Sequence, residues 1–313
     1  MTVAPLPTTG ALVRDGLRRL EAAGLSTARQ DAEWLLAATL GVERFQLYLD
    51  GDHPVDRARV EAYLDLLARR ARHEPLQHLL GFEDFLELRL RVTPDVLVPR
   101  PETEGLAAWA IELATGSGSP LIADIGTGSG AIAAALSARV PGARVLATDV
   151  SLAALAVARA NFRHLGLEGR TRLLAGDLLD PIRADGVAAV DLIVANLPYL
   201  PTGILPALPA EVSTFEPRLA LDGGHDGLVL LRRLIADAPR ALRPGGSLFL
   251  EVGEDQAGPV ASMMAAAGFG AIAARRDLRG VERFISGCVE TEPVLASGAG
   301  WAIAAPLRPR GAC

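Results

Sequence analysis

From residue 121 onward, short apolar runs alternate with longer amphipathic stretches, and this alternation limits the fold more than any other feature of the sequence. Strands that alternate with helices at this spacing form βαβ units, whose strands lie parallel in a sheet with helices on both faces. We therefore predict an α/β fold with a doubly wound sheet. Its strands are expected at residues 121–125, 144–149, 171–175, 191–195, 247–252, 271–276 and 283–287.

Residues 1–80 are predicted to form a separate helical domain. One helix is expected to begin after Ser26 or Thr27 and to end at Gly41, because hydroxyl side chains cap helix starts and glycine ends helices. A second helix is expected to run from Asp56 to Pro75. We interpret a basic cluster near its end as a solvated helix face: Arg69, Arg70, Arg72 and His73.

Residues 81–100 are predicted to be a β-hairpin linker between two domains. The stretch FLELRLRV alternates apolar and charged residues, and we expect Pro94 and Asp95 to turn the chain before VLVP continues the hairpin. The catalytic domain is predicted over 101–288, starting with a helix near Thr103. The remaining tail, 289–313, is rich in Ala, Gly and Pro, and we expect it to be loosely ordered.

Composition excludes several classes of protein. The net charge of −6 over 313 residues argues against a protein that mainly binds phosphate backbones, so no stable nucleic-acid complex is expected. Two cysteines are too few for a zinc site, the histidines lack metal-ligand spacing, and no metal is expected. Without a signal peptide or a membrane-length apolar run, the chain is predicted to be soluble and cytoplasmic. A monomer is expected.

The first strand of the predicted sheet leads into a glycine-rich loop, DIGTGSG. Gly126, Gly128 and Gly130, with Thr127 and Ser129 between them, let the backbone approach a ligand closely at the start of a helix. The sequence therefore predicts a nucleotide-type or nucleoside-type cofactor at this loop.

Three acids near the loop refine the type of cofactor. Asp149 ends the next strand, where a carboxylate accepts the hydroxyl groups of a ribose, and Asp177 with Leu178 follows the third strand, where they border an adenine ring. Asp124 precedes the loop, where it is placed to receive the cationic amino-acid end of S-adenosylmethionine, directly or through water. This acid and the G-x-G-x-G spacing favour S-adenosylmethionine over a dinucleotide.

The fourth strand ends in Asn196, Leu197, Pro198 and Tyr199. The side-chain oxygen of Asn196 and the main-chain carbonyl of Leu197 can accept both N–H bonds of an amide and orient its nitrogen for methyl transfer. Pro198 restricts the turn, and Tyr199 offers a flat wall for a planar substrate. An adenine amino group would fit the same acceptors, and an ordinary strand-ending turn would use similar residues.

Two other classes of protein fit the sequence less well than a methyltransferase does. A dehydrogenase needs a catalytic His or a Tyr-Lys pair beside its nicotinamide, whereas this chain has no lysine and its five histidines are scattered. A non-catalytic binding module would account for the glycine loop but would leave the Asn196 to Tyr199 segment without a role.

Taken together, these motifs resemble those of the PrmC/HemK group of class I S-adenosylmethionine-dependent methyltransferases. The resemblance extends from about residue 10 to residue 287 and is carried by EPLQHLLGFEDFLELRLRVTPDVLVPRPETE, ADIGTGSGAIAAAL, NLPY, FEPRLALDGGHDGL and LRPGGSLFLEVGEDQ. It implies a Rossmann-like seven-stranded methyltransferase sheet and methylation of the glutamine in the GGQ motif of peptide chain release factors, the expected protein partners.

The resemblance also assigns roles to individual residues. It implies cofactor contacts at Asp124, Gly126, Thr127, Gly128, Ser129, Gly130, Asp149, Asp177, Leu178 and Asn196. It implies a glutamine site formed by Asn196, Leu197, Pro198 and Tyr199, with Arg100, Glu102 and Thr103 shaping the rim. The family pattern N-P-P-Y is N-L-P-Y here, and activity is expected to be retained because the carbonyl at Leu197 remains.

Other acceptors of the methyl group remain open at this point. An adenine N6 methyltransferase of DNA or RNA would use the same pocket, although the acidic chain lacks a basic recognition region. A methyltransferase for another protein glutamine, or for a ribosomal protein, is equally compatible with the pocket residues.

Overall fold

The computed structural model describes residues 5–49, 51–187 and 189–290. The chain divides into two compact units. The smaller comprises the described chain up to Glu83 together with Val92–Pro94 and Ala207–Glu216, and the larger comprises the other described residues. The predicted tail, 289–313, begins inside a strand, since Val289 ends the last strand of the sheet, and its residues after Glu290 lie outside the described ones. Among the described residues, no helix has the length and apolarity needed to cross a membrane.

The described helices are α1 (Thr9–Ala22), α2 (Ala28–Leu40), α3 (Gln46–Leu49), α4 (Arg57–Arg70), α5 (Leu76–Leu80), α6 (Pro101–Ala114), α7 (Ala131–Arg139), α8 (Leu152–His164), α9 (Asp180–Ala184), α10 (Ala210–Phe215), α11 (Val229–Ala241) and α12 (Ala257–Ala266). The strands are β1 (Phe82–Phe85), β2 (Leu88–Arg91), β3 (Leu121–Ile125), β4 (Arg144–Asp149), β5 (Thr171–Ala175), β6 (Val190–Ala195), β7 (Leu242–Glu251), β8 (Phe269–Arg276) and β9 (Glu282–Val289). Short 3₁₀ helices cover Thr202–Ala207 and Arg218–Ala220.

The smaller unit is a helical bundle with its own apolar core. Helix α2 begins after Thr27 and ends at Gly41, which adopts the left-handed conformation, and α4 begins after Asp56, whose side chain accepts the Arg59 N–H. These helix ends were predicted from the sequence. Tyr63 of α4 is fully buried, and its hydroxyl group donates to main-chain oxygens of α1 and α2.

The interpretation of the basic cluster as a solvated face is wrong for Arg70. Its side chain is only 3% exposed, and its guanidinium lies 2.7 Å from the Asp31 carboxylate and 2.5 Å from that of Glu211. Both carboxylates belong to the smaller unit, so Arg70 joins α2, α4 and α10. The charge pattern of α4 alone contained no sign of these distant partners.

The hairpin of the linker turns at a different place from the one predicted. Strands β1 and β2 form a two-stranded sheet and are joined by Leu86 and Glu87, both with positive φ. Pro94 and Asp95 lie in a later turn, and the VLVP segment forms no strand. Leu-Glu lacks the residue types that favour such turns.

The larger unit confirms the α/β prediction. Within the described residues its sheet has seven strands in the order β5-β4-β3-β6-β7-β9-β8, parallel except for β9, which is antiparallel to both of its neighbours. The strands predicted at 121–125, 144–149 and 171–175 match their observed bounds, whereas β7 begins five residues earlier than predicted. The strand order reverses between β3 and β6, and ligands bind such sheets outside the carboxyl ends of the strands at this point.

Candidate functional site

A cavity of about 330 Å³ lies within the larger unit, beside the carboxyl ends of β3, β4 and β6. It brings together twelve residues that the sequence predicted: Arg100, Thr103, Gly126, Thr127, Gly128, Ser129, Asp149, Asp177, Leu178, Asn196, Leu197 and Pro198. Four other predicted residues, Glu102, Asp124, Gly130 and Tyr199, do not line it. The cavity wall is mainly apolar, with further side chains from Val96, Leu97, Pro99, Leu219 and Leu230.

The glycine loop is held by its own main-chain N–H groups. Those of Gly126 and Thr127 both donate to the Thr148 carbonyl, each at 2.9 Å, and that of Gly128 donates to the Asp149 carboxylate at 2.9 Å. A dinucleotide loop instead presents N–H groups to a pyrophosphate. Because these three donors already have partners in the protein, this part of the loop is better suited to a ligand without phosphate groups.

Two glycines of the loop meet different surroundings. A side chain at Gly126 would begin 2.9 Å from Leu197 Cδ2, so this glycine allows the loop to pack closely against the Asn196 to Tyr199 segment. A side chain at Gly128 would meet no atom within 4 Å. Because Gly128 lines the cavity, its missing side chain leaves room for a ligand.

The Asp149 carboxylate has a fixed orientation at the end of β4. One oxygen accepts the Gly128 N–H, and the other accepts the Ser151 N–H at 2.8 Å. Each carboxylate oxygen has a further lone pair. The group can therefore accept hydrogen bonds from a ligand in the cavity without giving up its contacts in the protein.

Asp124 lies behind the loop and not in the cavity wall. It is 1% exposed, and its Oδ2 atom accepts the Thr127 hydroxyl at 2.6 Å and the Ala133 N–H of α7 at 3.1 Å. Burial raises the pKa of this carboxyl group to about 7, although both hydrogen bonds oppose the shift. In this position Asp124 caps α7 and shapes the loop through Thr127.

Asp177 and Leu178 form another part of the cavity wall. The Asp177 carboxylate is 2.6 Å from the Arg233 guanidinium, and both side chains are half exposed. Leu178 has a φ of 45°, which is uncommon for a residue other than glycine, and its carbonyl accepts the Thr148 hydroxyl at 3.1 Å. That bond links the end of β4 to the loop after β5.

Asn196 and Leu197 have different surroundings although they are neighbours. The Asn196 Nδ2 atom donates to the Thr103 hydroxyl oxygen at 3.0 Å. Leu197 is buried, and it belongs to the same apolar core cluster as Ile125 and Ala195, the last residues of β3 and β6. The main chain of Leu197 is thus anchored by its side chain, in place of the proline ring of the family pattern.

Sequence reasoning missed Glu251, the last residue of β7. Its side chain is 1% exposed, and burial raises the pKa of its carboxyl group to about 7. The Tyr199 hydroxyl lies 3.5 Å from Glu251 Oε1. Burial raises the pKa of this hydroxyl to about 12. The rule that identified Asp149, an acid at the carboxyl end of a strand, would also have identified Glu251.

Two family models match the sequence. The PrmC N-terminal domain matches residues 11–81, within the smaller unit, and a methyltransferase domain matches residues 122–215. The crystal structure of the hMettl16 catalytic domain in complex with MAT2A 3′UTR hairpin 6 has a similar fold, with a TM-score of 0.54 over 74% of this chain and 83% of that one, at 19% identity.

Two relatives are similar over most of the chain. A release factor glutamine methyltransferase of Geobacter sulfurreducens is 42% identical over 264 residues, which is 84% of this chain and 90% of the relative. One of Moorella thermoacetica is 45% identical over 254 residues, 81% of this chain and 88% of the relative. Similarity of this extent covers both compact units and the cavity residues, and the chain belongs to the release factor glutamine methyltransferase family.

Proposed function

We propose that this protein transfers a methyl group from S-adenosylmethionine to the side-chain amide nitrogen of the glutamine in the GGQ motif of peptide chain release factors. An N–CH₃ bond forms on the amide as the S–CH₃ bond of the sulfonium breaks to leave a neutral thioether, and the amide loses one N–H proton to water. The observation that carries the proposal is that Asn196 lines the same cavity as Gly128 and Asp149, in a chain of this family.

The cavity fits S-adenosylmethionine. Its volume of about 330 Å³ is within the range of small-molecule sites, roughly 300–1,000 Å³. Gly128 leaves space at the loop, the Asp149 carboxylate has acceptor capacity for ribose hydroxyl groups, and Leu178 adds an apolar wall. When bound, this cofactor supplies a methyl group on a positively charged sulfur. Asp124 is proposed to support its site indirectly, through Thr127 and α7.

The substrate amide is proposed to bind at Asn196 and Leu197. The Asn196 Oδ1 atom and the Leu197 carbonyl each accept one N–H, which fixes the amide plane and the direction of the nitrogen. An amide nitrogen is a weak nucleophile, so the rate depends on this positioning and on fixed dipoles, without a strong base. Arg100 and Thr103 line the same cavity and are proposed to shape the entrance for the glutamine side chain, with Glu102 beside them.

The helical unit is proposed to bind the body of the release factor. Around α3 it exposes three large apolar side chains: Phe45 and Tyr48 at 62% and Leu49 at 75%. Exposed apolar clusters of this kind are common where one protein binds another.

The proposal is tested by measuring transfer of radiolabelled methyl from S-adenosylmethionine to a purified release factor. A release factor in which the GGQ glutamine is replaced by alanine is the matched control, and double-stranded DNA is a second acceptor in the same assay. We expect label on the wild-type release factor and none on the glutamine variant. Label on DNA alone, or equal label on both release factors, would contradict the proposed acceptor.

A further inference from the structure

The main-chain carbonyl of Tyr199 is held by the side chain of Gln256. Gln256 Nε2 donates to this carbonyl at 2.9 Å, and Gln256 Oε1 accepts the Gly253 N–H at 2.8 Å. Gln256 lies between β7 and α12, and Tyr199 follows β6, a neighbour of β7 in the sheet. The two hydrogen bonds therefore connect the ends of adjacent strands.

The orientation of the Gln256 amide is fixed by its partners. A main-chain N–H can only donate and a main-chain carbonyl can only accept, so the amide oxygen must face Gly253 and the NH₂ group must face Tyr199. The reversed amide would set two donors against each other at one end and two acceptors at the other. Gln256 thus supplies a donor of defined position to the Tyr199 carbonyl.

Two glycines leave the space in which this contact forms. A side chain at Gly227 would overlap the Tyr199 carbonyl oxygen and would begin 2.8 Å from Gln256 Nε2. A side chain at Gly253 would begin 3.0 Å from Gln256 Oε1 and 3.3 Å from Tyr199 Cδ2. The loop 221–227 and the turn after β7 thus both allow the close approach of Gln256 to the Tyr199 main chain.

The chain beyond Tyr199 is fixed by the loop 221–227. Three main-chain N–H groups donate between the two segments: Leu200 to the Leu221 carbonyl at 3.2 Å, Gly223 to the Leu200 carbonyl at 2.8 Å and Thr202 to the Gly224 carbonyl at 2.8 Å. On the other side, Asn196 follows directly from β6. The proposed substrate site therefore lies in a short turn that is anchored at both ends.

Fixing the Tyr199 carbonyl restricts the direction of the Leu197 carbonyl. The ring of Pro198 fixes one φ between them and the peptide groups are planar, so few free torsion angles separate the two carbonyls. Where the family pattern has a further proline, this chain has Leu197. The turn consequently depends more on its contacts with the rest of the protein, of which Gln256 provides one.

We propose that Gln256 is a positioning residue that, by holding the Tyr199 carbonyl, directs the Leu197 carbonyl to accept an N–H of the substrate glutamine. This inference rests on the proposed function. It gives the turn between β7 and α12 a role in the reaction, although Gln256 does not line the cavity.

The Leu197 carbonyl can be followed by NMR of the whole protein. Labelling leucine with ¹³C at the carbonyl and proline with ¹⁵N selects the leucines that precede proline, which in this sequence are Leu6, Leu197, Leu200, Leu205 and Leu208. The signal that is missing from the spectrum of Leu197→Ile is that of Leu197. Leu6 and Leu208 belong to the smaller unit and serve as internal references.

We expect the Leu197 signal to shift in Gln256→Met, which keeps the length of the side chain but removes both hydrogen bonds. The signals of Leu6 and Leu208 should stay unchanged. The matched control is Glu254→Gln, which alters an exposed acid two positions away and should leave every signal in its wild-type position.

Gln256→Glu supplies a rescue that depends on pH. The ionised carboxylate still accepts the Gly253 N–H but has no donor for the Tyr199 carbonyl, whereas the protonated carboxyl donates through its O–H group. The pKa of the introduced carboxyl should lie above about 4.3, because its ionised form faces a carbonyl oxygen. The Leu197 signal of this variant should therefore move toward the wild-type position as the pH falls from about 8 to about 5. Because Gln256→Glu keeps the hydrogen bond to Gly253, it tests the inference even if Gln256→Met unfolds.

Kinetics supply the second readout. We expect Gln256→Met to lower kcat for release factor methylation about 10-fold, since one acceptor of the amide is misdirected, while the Kd of S-adenosylmethionine is unchanged. The kcat of Gln256→Glu relative to the wild type should rise as the pH falls, and this ratio removes the effect of titratable groups that both proteins share. Those on and beside the segments that contact Gln256 are Tyr199, Asp222, His225, Asp226, Glu251, Glu254 and Asp255.

The two readouts separate the inference from the proposed function. A Leu197 signal that is the same in the wild type and in Gln256→Met, or a kcat ratio for Gln256→Glu that does not change with pH, would overturn the inference even if the release factor is methylated. Signals that behave as expected, in a protein that does not methylate the release factor, would support the positioning role of Gln256 and contradict the proposed acceptor.

Discussion

At Gly128 the main chain is left-handed, with a φ of 54°, and the space where a side chain would begin is empty. Gly128→Ala should cost about 1–2 kcal/mol of stability through backbone strain. Its methyl group would also enter the space proposed for S-adenosylmethionine. We therefore expect the Kd of S-adenosylmethionine, measured by titration calorimetry, to rise about tenfold or more, which corresponds to about 1.4 kcal/mol.

Gly166→Ala is the matched control for this change. Gly166 also has a positive φ, 68°, and no atom within 4 Å of an added side chain, but it does not line the cavity. The strain and the loss of stability should be similar, with no change in the Kd of S-adenosylmethionine. Equal losses of affinity in the two variants would mean that strain, and not the space at Gly128, determines binding.

Asn196 and Asp149 should have separable roles. Asn196→Ala removes one oriented acceptor for the substrate, and we expect the methyl-transfer rate to fall about 10²-fold or more with little change in S-adenosylmethionine binding. Asp149→Ala removes the proposed ribose acceptor and the partner of the Gly128 N–H, so cofactor affinity should fall first. Calorimetry and single-turnover rates on both variants measure the two effects. An unchanged rate in Asn196→Ala contradicts its role.

How far the site could be predicted depends on where each residue lies along its strand. Asp149 and Asn196 stand at strand ends, where the sequence pattern and the general position of ligand sites agree. Asp124 stands within β3, and its carboxylate is used by Thr127 and Ala133. The contact between the Tyr199 hydroxyl and Glu251, at 3.5 Å, joins segments that are distant in sequence, and no local pattern records it.

Among the elements of the smaller unit, α2, α4 and α10 depend on a single buried cation. Arg70→Ala would leave the Asp31 carboxylate, 5% exposed, without its partner at 2.7 Å. Removing one member of a buried ion pair typically costs about 3–5 kcal/mol. We expect Arg70→Ala to lower the free energy of unfolding by about this amount, measured by urea unfolding.

Arg69→Ala provides the comparison, one residue away in the same helix. The Arg69 side chain is 37% exposed and pairs at 2.6 Å with Glu74, which is 16% exposed, and a pair at the surface contributes about 0–1 kcal/mol. Hydrogen exchange of α10 should increase in Arg70→Ala, because Glu211 also loses its partner, and should be unchanged in Arg69→Ala. Similar effects of the two variants would show that burial of Arg70 is not the cause.

The strands of the large sheet were more predictable than the hairpin of the linker. Strands β3, β4 and β5 are runs whose ends composition marks, whereas β7 begins at Leu242, before a Pro-Gly-Gly stretch that is typical of a turn. The turn at Leu86 and Glu87 is instead held by distant groups: the Leu86 N–H donates to Glu104 and its carbonyl accepts from Arg139. Such tertiary contacts override local turn preferences, which is why the sequence placed the turn at Pro94 and Asp95.

Across the described residues, carboxyl groups whose pKa is raised and carboxyl groups whose pKa is lowered titrate in separate pH ranges. The pKa values of Asp124 and Glu251 are raised by burial to about 7. Hydrogen bonds lower the pKa values of another group of carboxyls, namely Glu74, Glu112, Asp222, Asp226 and Asp277. The stabilising contribution of this second group is present above the unfolded-state pKa, about 4, and is lost only at lower pH.

Between about pH 5 and pH 8 the raised pair should therefore determine how stability varies with pH. A group whose pKa is raised on folding binds its proton more tightly in the folded state, so its contribution is complete below the unfolded-state pKa, about 4, and is lost as the pH rises from there through about 7. Shifts of this size correspond to losses on the order of 3 kcal/mol per group. We expect the free energy of unfolding of the larger unit to fall over this range.

Urea unfolding at several pH values checks this expectation, with Asp124→Asn and Glu251→Gln as the decisive variants. Each removes one titrating carboxyl, so each should flatten the decline, and Glu251→Gln should gain stability relative to the wild type as the pH rises. Glu254→Gln removes an exposed charge and should leave the decline unchanged. Two results would contradict this expectation: a rise in stability from about pH 5 to pH 8, or a decline with pH that neither variant alters. Either result would mean that the Asp124 and Glu251 carboxyls are ionised throughout this range and are stabilised by counter-charges.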